Sequence, residues 1–315
     1  MQDNTAAFVF PGQGSQKVGM LAELAGQFDI VKETFDIASS ALGYDLWDLV
    51  QNGNDEELSK THITQPAILT ASFAVYQVWK LQGGSDPVIM AGHSLGEYSA
   101  LTCAGALAFG DAVGLVQRRG QLMQDAVPLG VGSMAAIIGL EDDEIMAACE
   151  QAREGEEVAA VNFNSPGQVV IAGHAGAVAR AGELCKAAGA KRALPLAVSA
   201  PFHSALMKPA AEKFAADLNA VNISMPQVPV LQNFGLKCSS DPEQIRSNLV
   251  NQIYNAVPWV DTINQFARSG ITKVIEMGPG KVLNGLNKRI QPEMEVISVN
   301  DPASLEAAAQ LLSLS

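Results

Sequence analysis

Ser94 stands in "PVIMAGHSLGEYSALTCAG" with Gly92 and Gly96 two residues to either side, where an apolar run gives way to a helical pattern. A serine that merely caps a helix has no use for both glycines. A nucleophile at a sharp strand-to-helix turn does, because neighbouring backbone must approach it closely and the following helix N-terminus favours developing negative charge. Such a serine needs a base. Of the four histidines, His93 adjoins Ser94 and points the other way on leaving a strand, so it is read as a pocket-lining residue. His62 lies in a polar stretch and His174 at a strand end, where surface or capping roles suffice. His203, in "SAPFHSALM" at a junction that would wall a cleft, is the candidate base. Between residues 94 and 203 no acidic residue occupies a convincing strand-end loop, so a Ser-His dyad is expected, its imidazole oriented by an amide or a backbone carbonyl.

A second loop, "FVFPGQGSQ" (residues 8–16), follows the first apolar run. It matches neither the dinucleotide fingerprint nor a phosphate-binding loop with its lysine-serine pair. The better reading is half of an oxyanion hole, with one backbone N–H from Gln13 and the other from Leu95, the residue after the nucleophile. Arg118 and Arg119, in "VGLVQRRGQLMQ", fall on a helix where one can face solvent and the other the interior. A buried arginine requires an anion. An internal pair with Glu97 or Asp125 and a substrate carboxylate both satisfy that requirement.

Positioning these residues takes a sheet. The runs "AAFVF", "PVIMAG", "VPVLQN", "KVIEMG" and "MEVISV" read as buried parallel strands separated by amphipathic stretches, an α/β pattern with both faces covered. "TQPAILTASFAVYQVWKLQGG" predicts a long helix with proline near its start and Gly83-Gly84 as its stop. Between residues 130 and 198 the rhythm becomes β-α-β-β-α-β, the ferredoxin-like plan, so residues 130–198 are expected as an inserted subdomain in a catalytic subdomain of residues 1–129 and 199–315. The hinges fall in "VPLGVGS" and "VSAPFHS".

The bulk properties narrow the class. With 315 residues, 48% of them hydrophobic, the chain can bury a sizeable core. A formal charge of −13 argues against nucleic acid as a partner, while Lys191 with Arg192, Lys208, and the trio Lys281, Lys288 and Arg289 leave room for a local basic patch. Four scattered cysteines suggest neither disulfides nor zinc and fit a reducing cytoplasm. The acidic "MQDNTAAFVF" does not read as a signal peptide and no run suffices to cross a membrane, so a soluble, intracellular protein without a membrane partner is expected.

Taken together, these motifs closely resemble the malonyl-CoA:acyl carrier protein transacylases of bacterial fatty acid synthesis. The likeness runs from "FVFPGQGSQ" through "TQPAILTAS", "GHSLGEYSAL", "RRGQLMQ", "NFNSPGQVVIAG", "KRALPLAVS" and "LMKPA" to "EMGPGKVL". It implies an α/β-hydrolase-like large subdomain with a ferredoxin-like insertion. It also implies ping-pong transfer of malonyl from malonyl-CoA to the phosphopantetheine thiol of acyl carrier protein through a malonyl-serine. No metal or bound cofactor is required, and a monomer is expected. By position it makes Ser94 the nucleophile, His203 the base, Gln13 and Leu95 the oxyanion donors and Arg119 the clamp for the malonyl carboxylate. Gln252 would orient His203 through its carbonyl, Asn164 and Met123 would line the pocket, and Phe202 before His203 would favour malonyl over methylmalonyl. "NQIYNAVPW" departs from the pattern, with Ala256 and Pro258 where residues such as proline and glutamine are expected. Two rivals stand against this reading: a thioesterase or esterase using the same dyad, and a scaffold that binds carrier protein without catalysis.

Overall fold

The five apolar runs do form parallel strands. A computed structural model describes residues 5–198 and 200–313. In it β1 (Ala6–Phe10), β2 (Ile89–Gly92), β7 (Val230–Leu231), β8 (Lys273–Met277) and β9 (Glu295–Val299) make one all-parallel sheet in the order β7-β2-β1-β8-β9. Every residue of β1 is buried, as a strand covered on both faces must be. Phe10 pairs with Gly92, so the chain leaves β1 and β2 side by side and the loops bearing Gln13 and Ser94 emerge together at the carboxyl edge. β7 keeps only two of the residues in "VPVLQN"; Gln232 and Asn233 leave the ladder for buried side-chain bonding beneath Ser94.

Before the sheet's second strand come α1 (Ala22–Ala25), α2 (Asp29–Leu42), α3 (Leu46–Asn52), α4 (Asp55–Leu58) and the long α5 (Thr61–Leu81). α5 begins upstream of the proline expected to mark its start, leaving Pro66 inside the helix. It ends as expected, with Gly83 in the left-handed region. After β2 follow α6 (Gly96–Cys103) and α7 (Phe109–Gln124).

Then come β3 (Gly132–Ile138), α8 (Asp142–Ala152), β4 (Val158–Ser165), β5 (Gln168–His174), α9 (Ala175–Ala187) and β6 (Arg192–Pro195), whose strands form a separate antiparallel sheet in the order β4-β5-β3-β6. This is the ferredoxin-like arrangement, and its helices cover their own core of Ile137, Ile145, Val169 and Ile171. Ser199, in the second expected hinge and at the expected boundary, lies outside the described residues, as do residues 1–4 and 314–315. The remaining helices are α10 (Lys208–Ala220), α11 (Pro242–Gln252), α12 (Trp259–Arg268), α13 (Val282–Ile290) and α14 (Pro302–Ser313). Among the described residues no helix is long and apolar enough to cross a membrane.

The antiparallel sheet is joined to the rest of the chain by backbone bonding as well as by packing. Val257, in the loop after α11, donates its N–H to Val161 O at 2.8 Å and accepts from Phe163 N–H at 3.1 Å, a short parallel bridge onto β4. That gives a path to the segment "NQIYNAVPW", which the sequence left open.

Candidate active site

The two glycines flanking Ser94 are explained by contact. A Cβ at Gly92 would overlap the Gly96 carbonyl, and one at Gly96 would overlap the Phe10 carbonyl, so α6 can leave the sheet this tightly only with glycine at both places. Ser94 itself has φ 52°, in the left-handed region, as the strained elbow of a nucleophile requires. The turn is fixed from below: Asn233 Oδ1 accepts Ser94 N–H at 2.9 Å while Asn233 Nδ2 donates to Gly92 O at 2.8 Å.

His203 also has positive φ, 64°, and it meets Ser94 with Nε2 at 2.7 Å from Oγ. Its Nδ1 lies 2.9 Å from the backbone carbonyl of Gln252, an acceptor that has no proton to give. Nδ1 therefore carries the hydrogen and Nε2 is left to accept one from Ser94. Burial and the neighbouring Arg119 guanidinium pull His203 far below the ordinary histidine range, to about 3, so the ring is neutral at any physiological pH. No carboxylate touches the imidazole among the described residues, as expected for a dyad.

Of the two arginines, Arg118 is half-exposed and pairs with Asp217 at 3.2 Å, whereas Arg119 is 1% exposed. Its partners are all neutral. It donates to Gln65 Oε1 at 2.8 Å, Gln252 Oε1 at 2.9 Å and Ser94 Oγ at 3.2 Å, and it lies over the Tyr98 ring, 5.1 Å from the centroid. Neither Glu97 nor Asp125, the internal partners that the sequence offered, makes an ion pair with it. A buried cation next to Ser94 Oγ thus has no carboxylate in hydrogen-bond contact.

Gln252 links these groups. Its carbonyl faces His203, its Oε1 faces Arg119, and its Nε2 donates to Ser94 O and Glu97 Oε2, each at 2.9 Å. Above the elbow a cleft of about 420 Å³ is lined by Gln13, Leu95, Met123, Asn164 and Phe202 together with Ser94, Arg119 and His203, so every expected site residue except the deeper Gln252 reaches it. Among the described residues the N–H groups of Gln13 and Leu95 have no hydrogen-bond acceptor. His93 lines the cleft and reaches across to the other sheet, its Nε2 2.8 Å from Asn164 Oδ1. His174 bonds Glu157 N–H through Nδ1, a strand-end role. Among the described residues no cluster of histidine, cysteine and acidic side chains could hold a metal.

Three contributors were not picked out from the sequence for this role: Gln65, Asn233 and, as an anchor for Gln252, Glu97. The one available signal was polarity in apolar surroundings, a glutamate in "LGEYSALTCAG" and "QN" closing "VPVLQN".

The acyl transferase domain profile matches residues 7–299. Among curated relatives, the malonyl CoA-acyl carrier protein transacylase of Escherichia coli strain K12 is 59% identical over 305 residues, covering 97% of this chain and 99% of that one. An acyl carrier protein S-malonyltransferase from Vibrio cholerae superposes with a TM-score of 0.95 at 57% identity, covering 96% of this chain and 99% of its own. A malonyl-transacylase solved in complex with a type II PKS acyl-carrier protein gives a TM-score of 0.96 at 55% identity, over 97% of this chain and 99% of that one. Matching along nearly its whole length, and carrying the serine elbow at the mouth of its parallel sheet, the chain belongs to the acyl transferase domain family as one of its malonyl CoA-acyl carrier protein transacylases.

Proposed function

We propose that the chain carries malonyl from coenzyme A to the phosphopantetheine thiol of acyl carrier protein by a ping-pong route. His203 Nε2 takes the Ser94 proton as Oγ attacks the thioester carbonyl, and the Gln13 and Leu95 N–H groups receive the oxyanion. Collapse expels coenzyme A, whose thiolate takes the proton from His203. The carrier-protein thiol then gives its own proton to His203 and attacks the malonyl-serine, and the second collapse releases the malonyl thioester as Ser94 Oγ takes that proton back from His203. Gln252 keeps the imidazole in the required tautomer, while Arg119 holds the malonyl carboxylate. Met123, Asn164, His93 and Phe202 shape the acyl pocket.

The single observation that carries this reading is Arg119: a buried guanidinium that touches the nucleophile and hydrogen-bonds only to neutral groups suits an acyl group with a carboxylate. No resident cofactor enters the proposed steps. We place the enzyme in the cytoplasm as a monomer, with residues 130–198 as the insert and residues 1–129 and 199–315 as the catalytic subdomain. The antiparallel strands between Gly132 and Pro195 support that division.

Intact-mass measurement tests the reading. Malonyl-CoA alone should add one malonyl group, holo carrier protein should remove it, and Ser94→Ala should abolish it with thermal stability kept. An unmodified mass on the folded wild type would favour a non-catalytic scaffold, and loss of the label to water as fast as to carrier protein a thioesterase.

A further inference from the structure

Glu97 is completely buried, 0% exposed, directly under the nucleophile elbow, and it touches neither the substrate cleft nor Arg119. Three donors converge on its carboxylate: Asn233 N–H at 2.8 Å and Gln252 Nε2 at 2.9 Å on Oε2, and Gln232 Nε2 at 3.0 Å on Oε1. A group surrounded only by donors is an acceptor, hence a carboxylate rather than a carboxylic acid. These hydrogen bonds oppose the effect of burial, which raises the group's tendency to hold a proton.

We propose that Glu97 is a positioning residue for acyl selection: by accepting from Gln252 Nε2 it fixes the polarity of that amide, so that Oε1 faces Arg119 and aims the guanidinium. A side-chain amide is otherwise free to turn over. Turned over here, Gln252 would set its oxygen against Glu97 Oε2 and Ser94 O, both acceptors, and its NH2 against the Arg119 donor. Either clash leaves buried groups unpaired, so Glu97 and Ser94 O hold one orientation. The same oxygen that grips Gln252 also grips Asn233 N–H, and Asn233 Oδ1 holds Ser94 N–H. One buried oxygen thereby registers the nucleophile against the clamp.

What matters on this account is the reach of the side chain from α6, and the test separates reach from charge. Glu97→Asp keeps the charge and withdraws the oxygens by one methylene. Glu97→Gln keeps the reach: its amide oxygen can still accept from Asn233 and Gln252, while its NH2 faces Gln232, which receives it when the amides of Gln232, Asn248 and the exposed Gln244 turn over together. The measurement is kcat/KM for Ser94 acylation by malonyl-CoA and by acetyl-CoA, with melting temperature recorded alongside. Glu97→Asp should lower the malonyl-to-acetyl ratio at least about tenfold, the size expected when a charged hydrogen-bonded contact is misplaced. Glu97→Gln should keep that ratio within about threefold of wild type.

Equal losses on both thioesters in Glu97→Asp would make Glu97 a purely structural anchor and overturn the inference. A collapsed ratio in Glu97→Gln would identify charge as the device and overturn it equally, and this arm stands even if Glu97→Asp does not fold. The inference rests on Arg119 as the carboxylate clamp, so Arg119→Ala is run in parallel. An unchanged ratio in Arg119→Ala sinks the clamp itself; a collapsed ratio there with an unchanged one in Glu97→Asp sinks only the role of Glu97.

Discussion

At the scale of single residues, Ser94, His203 and Arg119 share one electrostatic arrangement. The guanidinium that would hold an acyl carboxylate also donates to Ser94 Oγ and depresses His203. Arg119→Ala should therefore cost malonyl-CoA roughly thirtyfold to several thousandfold in kcat/KM, the range for losing a bidentate charged contact in a partly dry pocket, while acetyl-CoA loses little. Arg118→Ala, which removes only a half-exposed pair with Asp217, is the control, and equal losses on malonyl-CoA and acetyl-CoA in Arg119→Ala would make Arg119 structural. The proton side gives a second expectation. With a folded pKa of about 3 against an ordinary value of about 6.5, His203 is already an unprotonated base at pH 5. Single-turnover acylation by malonyl-CoA should show no inflection near pH 6.5 between pH 5 and 8; an inflection there contradicts the depressed base. The same group is unprotonated in the folded state and partly protonated in the unfolded one below pH 6.5. Its contribution to stability is therefore complete above that pH and is lost progressively as pH falls toward 3. In Arg119→Gln, the falling limb of acylation by acetyl-CoA should move to higher pH, because one cause of the depression has gone.

At the scale of elements, the elbow works because α6 leaves the sheet in contact with both β1 and its own first turn. Gly92→Ala or Gly96→Ala forces a methyl into rigid backbone, an overpacking of at least about 1–3 kcal/mol, so a melting temperature lowered by several degrees is expected. A variant as stable as wild type would show that the contact yields. The strands were legible in the sequence because parallel strands buried on both faces read as continuous apolar runs, and Ser94 was legible because the two glycines its turn needs stand two residues to either side of it. The start of α5 was legible only approximately: the sequence puts it near Pro66, and the helix begins at Thr61, upstream of that proline. Gln65 and Asn233 were not singled out: nothing local distinguishes a polar side chain that bonds its neighbour from one that bonds a residue 54 or 139 positions away. Gln252 came only from family resemblance, because its carbonyl matters through where α11 ends, and that is decided by packing. Arg119 was half legible: the helix indicated that one arginine of the pair can turn inward, family resemblance pointed to Arg119, and only the folded network showed that its hydrogen-bond partners are uncharged.

At the scale of the whole molecule, a chain of formal charge −13 must meet a carrier protein, a class that is itself acidic, so encounter depends on local basic groups. Lys191 and Arg192 lie at the start of β6 on the insert, and Lys288 and Arg289 fall in the last turn of α13, where Arg289 reaches the cleft residue Gln168 at 2.9 Å. Lys191→Glu and Lys288→Glu should each raise the apparent KM for carrier protein several-fold at low salt and leave acylation by malonyl-CoA unaltered, since rim charges act chiefly on encounter. Equal effects on both half-reactions would remove these groups from the docking surface. The insert is also bound to the rest of the chain by more than its two covalent junctions. Val257, five residues after Gln252, whose carbonyl meets His203 Nδ1, is laddered onto β4. Anyone grafting this insert into a relative to alter its acyl preference must therefore transplant a sequence-distant partner with it: a chimera exchanging residues 130–198 alone would inherit a mismatched seam at residues 256–258, and would lose catalytic rate before it lost substrate choice.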